Sequence, residues 1–186
     1  MDTLAEQLEA LSLATRHGFG FLCAYGVTWW VAAVLWSRVG PRVGAVAALV
    51  QGMVALPIAL GVTDLVGSGP RPDAPLLDAL SIHLASGQLV MLPVAGLLIA
   101  RRRYLFSTVL MAVVVAVHFA PYSWLYGTLL YAVVAVVIGL GTAVLLGRQR
   151  ALEHADDGAH ARSTGARVCA LVGTAMLAGA VVAWFL

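Results

Sequence analysis

The chain has 186 residues, of which 61% are hydrophobic and 11% charged, and its mean hydropathy is +0.93. Soluble domains carry about a quarter charged residues; a fold of this size has no way to hide so much apolar surface from water, so lipid must solvate most of it. All the basic residues are arginine and the net charge is only +2, which excludes the basic stripe of a nucleic-acid binder.

The first fifteen residues carry Asp2, Glu6 and Glu9 where a secretory signal would be basic. Thr3 and Glu6 have capping-box spacing, and Leu4, Leu8 and Leu11 share one helical stripe. The expectation is a short interfacial helix leading into a membrane. Apolar runs then predict six spans, at about 17–37, 43–66, 77–100, 104–120, 126–146 and 168–186. The first holds Trp29 and Trp30 too deep for an aromatic belt, so at least one of them should face other helices. The second and third carry Pro57 and Pro93 in similar short contexts, a hint of a repeated kink. The segment 67–75 has loop composition, and 147–167 is the long polar stretch, read as a mobile cytoplasmic loop. The fold class is therefore all-α, a single six-helix membrane domain.

Arginine placement orients the bundle. With the amino terminus outside, Arg38, Arg42, Arg101, Arg102, Arg103, Arg148, Arg150, Arg162 and Arg167 fall in cytoplasmic turns, leaving Arg16 and Arg71 outside. Positive residues are retained on the cytoplasmic side, so both termini should lie on the outer face of a bacterial cytoplasmic membrane. Small residues recur every four positions at Gly139, Ala143 and Gly147, and again at Ala175, Gly179 and Ala183. Such stripes let helices approach closely, within one bundle or between two copies, so a homo-oligomer stays open. Cys23 and Cys169 fall at different depths, too far apart for a disulfide.

Between two aliphatic runs, His118 to Gly127 brings together a histidine, a proline and four aromatic residues. At the same outer depth lie His17, Asp64, Asp78, Ser81 and His83, with Gln88 about 15 Å below Asp78. Polar groups in hydrocarbon cost several kcal/mol unless they face partners or water. We therefore expect His118, Tyr122 and Gln88 to face a common cavity near Tyr25 and Trp29, with Trp124 and Tyr126 beside them. Three readings compete: interhelical hydrogen bonding in a structural or assembly subunit, a pocket that binds or transports a small apolar or lipid-like molecule, and an intramembrane isomerase or cyclase. The last would take its acid and base from His118, His83, Asp78 and Asp64. The residues carry no HExxH, no CxxC, no nucleophile elbow and no lysine for a Schiff base, so no metal or cofactor is expected. The lipid bilayer is the one partner the composition demands.

Residues 20–29, 51–57 and 118–127, the last with the pattern His-aromatic-x-Pro-aromatic-x-x-Leu-Tyr-Gly, resemble a family of small bacterial membrane proteins of uncharacterised function. The resemblance implies a compact helical bundle and brings no activity with it.

Overall fold

The computed structural model describes residues 3–67, 69, 74–148 and 158–186. These residues are helical, without strands: α1 (Leu4–Ala14), α2 (Phe19–Arg38), α3 (Pro41–Val66), α4 (Pro75–Leu89), α5 (Leu92–Ala100), α6 (Tyr104–Phe119), α7 (Tyr122–Leu125), α8 (Leu130–Arg148) and α9 (Gly158–Phe185). Six stretches are long and apolar enough to cross a membrane: α2, α3, α4 with α5, α6 with α7, α8, and α9 from His160. The chain is a multi-pass membrane protein.

The local signals explain where several helices begin. The Thr3 amide donates to Glu6 Oε2 at 2.6 Å and the Glu6 amide donates to Thr3 Oγ1 at 3.3 Å, closing the capping box on α1. Leu11 is buried and Leu8 packs on the core, while Leu4 is left exposed. Pro41 and Pro75 stand in the first turns of α3 and α4, where a missing N–H costs nothing. The two interior prolines behave differently. Pro57 sits within an unbroken α3, whereas Pro93 opens α5 after the helix breaks at Val90 and Met91.

α2 is the hub, packed along α3 on one side and α9 on the other. Glycine makes both approaches close. A β-carbon on Gly173 of α9 would come within 2.9 Å of the Gly26 carbonyl of α2. Trp36, fully buried, wedges between Gly44 of α3 and Gly165 of α9, and neither position has room for a side chain. Trp29 is also fully buried, while Trp30 is half exposed with its ring edge over Gly173. The two small-residue stripes part company. Ala175, Gly179 and Ala183 are buried within the bundle, with Gly179 against Val134 of α8. Ala143 and Gly147 instead face outward, and Gly139 has open space where a β-carbon would stand.

The last span starts earlier than hydropathy implies. α9 begins at Gly158, so residues 158–167 continue the helix instead of completing a polar loop. The reason is one-sided burial: Ala161, Thr164 and Val168 are inside, and Arg162 lies at the rim, donating from Nε to the Ser37 carbonyl at 3.1 Å. Arg150 and His154 lie outside the described residues, as do Ser68 and Arg71. Arg38, Arg42, Arg101 to Arg103, Arg162 and Arg167 all fall at one end of the bundle. Cys23 and Cys169 are free thiols.

Candidate functional site

At the end of the bundle away from the arginine cluster, α1 folds back across the helix tips. The turn that allows this is Arg16-His17-Gly18, with φ of 47°, 52° and 75°. Three left-handed residues in a row are costly, least so at glycine, and tertiary contacts must hold them. They do so here. The Tyr131 hydroxyl donates to the His17 carbonyl at 2.7 Å, and a β-carbon on Gly18 would strike that hydroxyl and the Tyr126 ring. Arg16 donates from Nε to the Val66 carbonyl at 2.7 Å, and its guanidinium lies 4.4 Å from the Trp184 ring centroid. Ser12, buried on α1, donates its hydroxyl to the Tyr126 carbonyl at 3.0 Å. Burial lowers the His17 pKa from its ordinary value.

Beneath α1 lies a cavity of about 740 Å³, inside the range of roughly 300–1,000 Å³ usual for small-molecule sites. Leu11 and Ala14 of α1, with Thr15 just after it, form its roof, and Leu56, Leu60, Thr63 and Asp64 of α3 form one wall. Ser81 and Ile82 of α4 border it, and the back wall is aromatic: Tyr25, Phe119, Tyr122, Tyr126 and Tyr131, with His118 beside them. The rings brace one another. Phe119 stacks on Tyr131 with centroids 5.9 Å apart, Tyr126 on Tyr131 at 5.3 Å, and Tyr25 meets Phe119 edge-on at 5.5 Å. His118 meets Tyr122 edge-on at 5.3 Å. The side toward α4 is open: Leu56 is 41% exposed, Leu60 46% and Ile82 66%, although all three border the cavity. α4 leans chiefly on α6 and is the least buried of the spans.

The sequence-derived candidates divide by rotation about their helices and by depth. His118, Tyr122, Tyr126, Tyr25 and Asp64 line the cavity. Trp29 does not: one turn deeper than Tyr25, it is sealed in the core. Trp124 is 55% exposed, because the short α7 turns its ring outward while Tyr122 and Leu125 face inward. His83 is exposed too and donates from Nδ1 to the Ala79 carbonyl at 2.7 Å, one turn back on its own helix. That local bond engages Nδ1 within its own helix. The side chain of Asp78 lies outside the described residues. Gln88 is not in the cavity wall, yet it sits close by: its Oε1 and the Tyr25 hydroxyl stand 3.7 and 3.8 Å from where a Gly52 β-carbon would be. Its Nε2 is buried without a hydrogen-bond partner.

Depth matching alone could not find Tyr131. It is the lone aromatic residue in the aliphatic run 129–146, fully buried, and it carries both the α1 turn and the ring stack. Nor did depth point to the α1 roof. No group of three or more potential metal ligands forms among the described residues.

Residues 4–152 match a family described as being of unknown function (DUF7010), and the chain belongs to that family. No curated protein and no solved structure shows a match to it.

Proposed function

We propose that the protein binds a small apolar or lipid-like molecule in the cavity under α1, and that the molecule enters sideways from the bilayer between α3 and α4. The observation that carries this reading is the cavity itself, walled by rings and aliphatic side chains and open where Leu56, Leu60 and Ile82 are exposed. In a folded bundle a void of that size forfeits packing that larger side chains would restore. It persists because stacked rings and the α1 roof brace its walls. Retention of arginine on the inner side puts the arginine-rich end in the cytoplasm of a bacterial cell, the cavity in the outer half of its cytoplasmic membrane, and both termini outside.

The test fills the cavity. Ser81→Trp places an indole in it from α4, the span with least to lose in stability. The neutral fluorophore N-phenyl-1-naphthylamine should bind the purified wild type in micelles as one saturable site, and Ser81→Trp should lose that site while keeping its melting temperature. Equal titration curves for the two proteins would end the ligand reading.

A second reading has one observation in its favour: His118 and Asp64, from different helices, border the same cavity and could serve as base and acid on a lipid-like substrate. An enzyme of that kind would release product, so His118→Ala would hold a bound mass in native mass spectrometry that the wild type does not. Identical bound species on both proteins would dismiss it.

A further inference from the structure

We infer that the cavity takes a lipophilic organic cation, such as a quaternary ammonium or phosphonium group carrying apolar substituents. The inference rests on the ligand reading above and narrows its chemistry. Asp64 is the one charged residue among the described cavity-lining side chains. The same cavity is lined by the rings of Tyr25, Phe119, Tyr122 and Tyr126. Aromatic faces carry negative electrostatic potential, and a cation within about 6 Å of several ring centroids is attracted without the tight hydration shell a small ion would have to shed. A carboxylate and several aromatic rings bordering one space favour positive charge there and disfavour negative charge.

The placement of the nearby positive group agrees. Arg16 stands at the same end of the bundle, yet its Nε is bonded to the Val66 carbonyl and its guanidinium rests over Trp184 of α9. No described side chain of α9 lines the cavity. The guanidinium is thereby engaged outside the pocket. Tyr131 shows the same division of labour: its hydroxyl is bonded to the His17 carbonyl, so what it offers the pocket is ring surface. The apolar mouth at Leu56, Leu60 and Ile82 suits the substituents of such a cation and an approach through lipid.

Two ions of one shape and opposite charge separate the possibilities. Tetraphenylphosphonium and tetraphenylborate are each titrated against N-phenyl-1-naphthylamine bound to the wild type, with Ser81→Trp as the blank for micelle partitioning. We expect the phosphonium to displace the probe at least about tenfold more effectively than the borate, and Asp64→Asn to reduce that preference for phosphonium over borate by about tenfold. If both ions displace the probe equally, or the borate does better, or Asp64→Asn changes neither, the cation preference is overturned and the apolar-ligand reading stands. If the neutral probe itself fails to distinguish wild type from Ser81→Trp, the ligand reading falls and the cation inference falls with it.

Discussion

Replacing Gly18 by alanine tests how rigidly α1 is held over the cavity. The substitution carries a backbone term and a contact term. At φ 75° an alanine sits in the left-handed region, which costs about 1–2 kcal/mol. Its β-carbon would also fall against the Tyr131 hydroxyl and within 2.8 Å of the Tyr126 ring, and overpacking of that kind costs about 1–3 kcal/mol. Displacing the Tyr131 hydroxyl loses its bond to the His17 carbonyl, for about 1 kcal/mol more. Gly127 supplies the control: its φ is 60°, but nothing lies within 4 Å of its added β-carbon. Gly127→Ala should therefore show only the backbone cost. Reversible unfolding of both variants in mixed micelles should place Gly18→Ala about 2–4 kcal/mol below Gly127→Ala. Equal losses would mean that α1 slides on the helix tips and that its contacts with Tyr126 and Tyr131 do not fix the roof.

Two further outcomes concern pH and orientation. Burial lowers the His17 pKa, so the unfolded chain binds the proton more readily: its contribution to stability should be level above about pH 6.5 and fall as the pH drops below it toward the lowered folded value, and His17→Asn, which tolerates the left-handed backbone, should make the acid slope shallower. A slope unchanged by His17→Asn would assign all of it to other groups. With native cysteines replaced, Ser68→Cys should react with an impermeant maleimide in intact cells, and His160→Cys only after permeabilisation; the reverse pattern would invert the bundle.

What the sequence made legible follows from what each signal measures. Hydropathy reports the solvent, and it located six spans. Arginine placement reports the end of the bundle, and Arg38, Arg101 to Arg103 and Arg162 do cluster. Depth along a helix follows from residue number, which is why His118, Tyr122, Tyr25 and Asp64 came out at one level around one cavity. Rotation about a helix does not follow when every face is apolar. Trp124 and His83 share the right depth and point outward, whereas Trp29, on the same helical face as Tyr25, lies one turn deeper in the core. Polarity is equally silent on one-sided burial, so residues 158–167 read as loop although Ala161 and Thr164 are packed inside. The docking of α1 depends on a left-handed triplet of which only Gly18 carries a local signature.

The Trp36 wedge has a consequence for biosynthesis. Its socket is half Gly44, made a few residues after it, and half Gly165, made only after α3 through α8 have left the ribosome. Until α9 is inserted, the face of α2 that carries Gly26 and Trp36 has lipid or a chaperone for a neighbour. The first span is thus held in an unfinished pairing through most of translation, and a nascent chain released before Gly165 would expose a tryptophan-lined groove in the plane of the membrane. Quality control that recognises unpaired transmembrane faces would meet its target there, on a helix made long before its partner.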